Sequence, residues 1–141
     1  MDISSINLIA VLVAAVAAFV VGAVYYIVLS KVWMAAAKID PATSGVHIPT
    51  LLITFVAELL MALILSLVIG TVTFGDITLD SGLFWAFLMW LGFILTTMLI
   101  NHRNQGQSWS LSLIDGLHWL LALLAMGAVI GWFGPPTTSL V

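Results

Sequence analysis

The sequence predicts an all-α membrane protein with four transmembrane helices in a bundle, and three observations carry that prediction. The chain has 141 residues, 63% hydrophobic and 6% charged, well above the ~45–50% apolar share of soluble domains. Its six Asp/Glu and three Lys/Arg are too few to cover the surface that a soluble domain of this size leaves in water. The apolar residues also gather into four continuous runs, 8–29, 51–72, 83–100 and 111–133, each near the ~20 residues a helix needs to cross a bilayer. Lipid offers no partner to backbone groups, and these runs lack the alternation of barrel strands, so they are read as helices.

The first run carries Ala10, Ala14, Ala18 and Gly22 at steps of four. Small residues at that spacing let two helix backbones approach closely, which predicts a packing face. The preceding "MDISSIN" has no basic residue and carries an acid, so a retained helix is expected and not a cleaved secretory signal. The loop "KIDPATSGVHIP", with Asp40, Pro41, Ser44, Gly45 and Pro49, is turn-rich and leads into the second run.

On the second run Thr54, Glu58, Ala62, Ser66 and Gly70 again repeat every four residues, which makes one polar and small stripe. Glu58 sits nine residues beyond Pro49, or ~13 Å along a helix axis. The third run offers Gly92, Thr96, Thr97 and Asn101, with His102 at its boundary. The fourth follows the loop "NHRNQGQSWS" and places Asp115, His118, Ala122 and Ala125 on one helix face, with Gly127 and Gly131 forming a GxxxG packing pair. Counted back from Gly70 and Gly131, Glu58 and His118 lie 12 and 13 residues away, so the two are expected at one depth.

Cations set the expected orientation. Lys31 and Lys38 belong to the first connection and Arg103 to the third, whereas the amino terminus, "TFGDITLDSG" and the tail "GPPTTSLV" carry none. The positive-inside rule then puts the first and third connections in the cytoplasm and both termini outside. Trp33 and Trp109 suit an inner aromatic belt and Trp85 and Trp132 an outer one, while Trp90 and Trp119 lie deeper, against the polar stripe. In this arrangement the two halves of the chain are hairpins of parallel orientation. "MALILSLVIGTVTFG" beside "LALLAMGAVIGWFG", and Gly22 beside Gly92, suggest an internal repeat of the kind found in transport proteins.

A charged acid in hydrocarbon costs about 2.5–3.5 kcal/mol on insertion scales. Glu58 is therefore expected to be neutral, paired or wetted. The leading expectation is a Glu58–His118 pair across the bundle, with Asp115 orienting the imidazole or standing in a water-filled inner vestibule, and with Thr54, Thr97 and Asn101 completing the site. Such a group could relay protons or bind a cation or small solute. If a divalent metal is bound at all, Glu58, Asp115 and His118 are its ligands. Haem would need two histidines at matched depth, and of His47, His102 and His118 only the last lies within a span, so no cofactor is expected. The competing reading makes these residues polar glue between helices, worth ~0.6 kcal/mol per hydrogen bond.

With those residues in place the chain resembles, over nearly its whole length, a family of small bacterial membrane proteins known only as a domain of unknown function, number seventeen sixty-one. The resemblance rests on Gly22-Ala-Val-Tyr25-Tyr26 with Lys31 and Trp33, on Ala57-Glu58-Leu59, on Trp90-Leu-Gly92-Phe93, and on Trp109 through Ile114-Asp115, His118, Gly127 and Gly131-Trp132. Tyr25 departs from the pattern, which more often has Trp there. The resemblance implies four spans and weight on Glu58, Asp115 and His118, and it supplies no activity.

The expected function is a homo-oligomeric protein of the bacterial inner membrane that binds or conducts protons, cations or a small solute in its cytoplasmic half. A free small-residue face on the first helix would join the subunits. The alternative is an accessory or scaffold subunit of a membrane complex. No nucleophile elbow, phosphate loop or metalloprotease motif marks an enzyme. Zero cysteines leave neither disulfides nor thiolate ligands, and three cations are too few for nucleic acid. The bilayer itself is the one partner the composition requires.

Overall fold

The computed structural model describes residues 6–42 and 45–136; Asp2, Ser44 and the tail from residue 137 lie outside them. The described chain is helical, without strands, and forms four long elements. Helix α1 is Leu8–Ala37, α2 is Ile48–Val72, α3 runs from Leu79 to Asn104 and α4 is Trp109–Phe133. All four are long and apolar enough to cross a membrane.

Each start has a local cause. Asn7 accepts a hydrogen bond from the Ala10 N–H, and Ser108 accepts one from Leu111 N–H, each satisfying a donor that the first helical turn leaves free. Pro49 occupies the first turn of α2, where no N–H is needed. Thr78 and Ser81 form a reciprocal capping box that opens α3. That box starts α3 at Leu79, four residues before its apolar run begins. At the other end of the first run, α1 continues past Leu29 for two further turns through Ala-rich sequence, until Lys38 in the left-handed conformation turns its N–H back to Ala35 and Ile39 reaches Met34. Hydropathy marks where lipid ends, not where a helix ends.

Helix α3 is not uniform. Between α-helical Leu79–Met89 and Thr96–Asn104 it widens into a π segment, Trp90–Leu95. The Thr96 hydroxyl, 2.8 Å from the Gly92 carbonyl oxygen, donates to it. The Trp90 indole N–H reaches across to the Gly116 carbonyl of α4 at 2.9 Å. A π insertion shifts the face that follows it, and here it separates the part of α3 that packs on α4 from the more exposed part beyond.

The bundle is built on α4, which packs against α1 on one side and α3 on the other, with α2 against α1. Ala10, Ala14, Ala18 and Gly22 are buried in this arrangement. The small-residue face of α1 is thus consumed within the chain, which removes the argument that it stands free for a second subunit. Gly127 and Gly131 of α4 lie against backbone of α3, Gly82 for the first and Thr78–Leu79 for the second, so closely that a Cβ at any of the three glycines would strike main chain. Gly82, which the sequence reading passed over, is the other half of the GxxxG contact.

Glycines aligned by the apparent repeat do not share surroundings. Gly70 meets only the tip of Ile77 where its counterpart Gly131 meets backbone, and Gly22 lies under His118 where Gly92 has open space. Similar strings of letters thus serve different packing in the two hairpins. Outward, the helices present Leu, Ile, Val and Phe, with Ile27, Val28, Ile53 and Phe93 largely exposed, the pattern of helices whose outer solvent is lipid.

Candidate functional site

Alpha-helical spacing brings three elements to one cavity of about 310 Å³. Phe19, Gly22, Ala23 and Tyr26 come from α1, Leu51, Thr54 and Glu58 from α2, and His118 and Trp119 from α4. Glu58 and His118 line the same space, as the depth count expects, and both are buried, at 1% and 5% exposure. Ala23 and Leu51 are exposed on the outer surface and form a rim between α1 and α2.

Glu58 and His118 are not joined. Among the described residues four buried side-chain nitrogen or oxygen atoms lack a hydrogen-bond partner, and three of them are Glu58 Oε2, His118 Nδ1 and His118 Nε2. Buried polar atoms are nearly always paired, so a cavity wall bearing three unpaired ones stands out from ordinary helix packing. Contacts of another kind hold the imidazole in place. Its ring centroid lies 4.6 Å from that of Tyr26, 4.9 Å from Trp119 and 5.7 Å from Tyr25. From below, Gly22 leaves room that no other residue would, since a Cβ there would stand 2.8 Å from His118 Nε2.

Asp115 does not orient His118. One turn earlier on α4, it accepts a hydrogen bond from the Tyr26 hydroxyl at 2.9 Å and lies 3.8 Å from His102 Nε2. His102, expected as a boundary residue, is half-buried in the last turn of α3, its Nδ1 3.0 Å from Ser112 Oγ. Arg103 donates to Ser112 Oγ at 2.7 Å and to the Ser108 carbonyl at 3.1 Å, and its guanidinium stacks 3.9 Å over the Trp109 ring. Ser108 in turn donates to the Ala36 carbonyl at 3.1 Å. This chain of contacts ties the ends of α1, α3 and α4 together. It also puts the first and third connections at one end of the bundle, with Lys38 capping α1. Lys31 and Arg103, expected in those connections, lie instead inside α1 and the last turn of α3, because both helices outrun their apolar stretches.

Thr54 lines the cavity, yet its hydroxyl donates to the Thr50 carbonyl of its own helix. Thr97 and Asn101 lie elsewhere. They line a more open cleft of about 550 Å³ with Met61, Phe93, His102 and Gln105, separated from the first cavity by Trp119, which borders both. Among the described residues no three His, Asp or Glu side chains gather as a metal site, so Glu58, Asp115 and His118 do not form the ligand set considered from sequence. Tyr25 and Tyr26, which carry part of the resemblance but were not expected in the site, stand beside His118. Their signal was the unusual pair of phenols within an apolar run, one donating to Asp115 and the other to the Ile114 carbonyl at 2.9 Å.

Four apolar helices, three of which enclose a buried acid and imidazole, define the class: a helical, membrane-embedded bundle with a largely apolar cavity that holds two ionisable side chains. Within that class, the chain belongs to the family described as protein of unknown function DUF1761, which matches residues 9–131. No curated protein and no solved structure matches it.

Proposed function

We propose that this protein exchanges protons in the membrane through Glu58 and His118, which act as acid and base on opposite walls of the cavity and couple that exchange to binding of a small solute. The observation that carries the reading is the group of three unpaired polar atoms on those two side chains. Structural glue would spend its hydrogen-bonding capacity on neighbouring helices, as Asp115 does. A carboxyl and an imidazole are the two side chains that most readily trade a proton near neutral pH, and intramembrane ionisable groups mark proton or ion pathways. Water or solute entering the space supplies the missing partners.

In this reading the end bearing Lys31, Lys38 and Arg103 faces the cytoplasm and both termini face out, which puts the cavity nearer the cytoplasmic side. Subunits meet through α3, the least buried of the four helices among the described residues, where Gly92 within the π segment and Thr96 just after it are exposed. The α1 stripe takes no part.

Proteoliposomes carrying a trapped pH dye and an imposed potassium diffusion potential test the exchange. Wild-type protein is expected to speed proton entry over protein-free vesicles, and Glu58→Gln and His118→Gln to slow it at least about tenfold, the scale of losing a positioned acid or base. Wild-type vesicles no faster than protein-free ones, or variants equal to wild type, would sink the proposal. Native mass spectrometry in mild detergent tests the assembly; a monomer that persists at high protein concentration rejects it.

A further inference from the structure

We infer that the cavity takes a small organic cation, an alkyl- or arylammonium, whose charge is met by Glu58 and whose carbon skeleton is held by Phe19, Tyr26 and Trp119. The inference deepens the proton-exchange reading and rests on it for the role of Glu58, but it stands on separate features of the same walls.

The first is the balance of side chains. Three aromatic rings and one carboxyl line about 310 Å³, and no Lys or Arg does. Aromatic faces attract cations through the ring quadrupole, most strongly where water is excluded, and alkylammonium ions are recognised by cages of such rings. A bare divalent ion needs six or more oxygen ligands, or about four from nitrogen and oxygen, and this cavity offers a single carboxyl. The volume lies at the lower end of the ~300–1,000 Å³ usual for small-molecule sites.

The second feature is that the rings are fixed before any ligand arrives. Phe19 stands edge-on to Phe55 at 5.7 Å between centroids. Tyr26 is pinned by its hydrogen bond to Asp115, and Trp119 stands edge-on to His118. A cage already ordered loses little side-chain freedom on binding. The third is polarity. Glu58 Oε2 and the unprotonated nitrogen of neutral His118 are acceptors, so an ammonium that carries N–H groups satisfies atoms that a quaternary ammonium leaves bare. The exposed rim of Ala23 and Leu51 gives such an amphiphilic cation a lateral way in from the bilayer.

Calorimetric titration of the full chain in lipid nanodiscs with benzylammonium, benzyltrimethylammonium and sodium chlorides tests this. Both organic cations are expected to bind saturably, benzylammonium more tightly, with sodium silent. Trp119→Leu should weaken both roughly tenfold, Trp119→Phe should recover most of that, and Glu58→Gln should weaken them more than Trp119→Leu does. Circular dichroism and elution volume establish that each variant is folded, and Ala23→Phe, an exposed change at the rim, should slow binding without touching the core. No saturable heat from either organic cation, equal affinity in wild type and Glu58→Gln, or a Glu58-dependent signal from sodium alone overturns the inference. Proton entry that needs Glu58 in vesicles while neither ammonium binds would leave the exchange standing and remove this ligand class.

Discussion

Helix α4 carries two polar clusters one turn apart, and they differ in a way that separates architecture from chemistry. In the first, Ser108, Ser112 and Asp115 are engaged by Arg103, His102 and Tyr26 across three helices, and Arg103 Nε is the one buried atom there, among the described residues, without a partner. In the second, His118 and Glu58 line one cavity, and neither ring nitrogen is bonded. The same helix thus holds one cluster nearly closed and one open. A closed network in a low-dielectric medium fixes geometry, because breaking any member strands its partners. An open one keeps acceptors available to something that enters.

That contrast can be broken by substitution, and the largest loss of stability should come from the closed cluster. Asp115→Ala strands the Tyr26 hydroxyl and removes the acid beside His102, and should cost about 3 kcal/mol, at 1–3 kcal/mol per unsatisfied group, measured by unfolding in mixed micelles. A loss below that of a surface substitution would mean the network is wet and loosely held. Next comes Gly22→Ala, whose methyl has no place beneath the imidazole. It should cost about 2 kcal/mol, in the range of overpacked cores, and slow proton entry several-fold by displacing His118. Unchanged stability and flux would show that the ring has room to move.

Tyr26→Phe should cost about 1 kcal/mol, near the upper part of the range for hydrogen bonds within membranes, while keeping the ring that stands against His118. If proton entry falls as far as in His118→Gln, the hydroxyl belongs to the open cluster and the two clusters are one. His118→Gln should cost about 1 kcal/mol for the ring contacts it gives up. Glu58→Gln, close in shape to the residue it replaces, should alter stability by less than about 0.5 kcal/mol, since no bond seen in the fold is lost. Both should slow exchange at least about tenfold. The smallest effect is expected from Thr54→Ser, which preserves the bond to Thr50 and should leave both stability and flux at wild-type values in the same two assays.

Much of the site could be read from spacing alone. Steps of four placed Glu58 on a small-residue stripe, and counting from Gly70 and Gly131 set it level with His118, because a helix converts sequence distance into height with little freedom. Partner choice could not be read this way. Asp115 and His118 share a helix face, yet a small rotation between them is enough to send one toward Tyr26 and His102 and the other into the cavity. Thr97 and Asn101 have the right chemistry and depth, but the π segment at Trp90–Leu95 precedes them and they line a different cleft. No periodicity announces an extra residue in a helical turn.

The sequence by itself determined four apolar helices, their order and the levels at which polar groups stand, because backbone hydrogen bonding in lipid and the fixed rise of a helix leave few alternatives. Only the tertiary structure decided which small-residue faces were spent inside the chain, that Gly82 closes on Gly127, and that Tyr25, Tyr26 and Trp119 surround the imidazole. Those outcomes depend on how far each helix is rotated about its own axis against its neighbours. Rotation is settled by side-chain fit across a whole interface, which no single stretch of the chain contains.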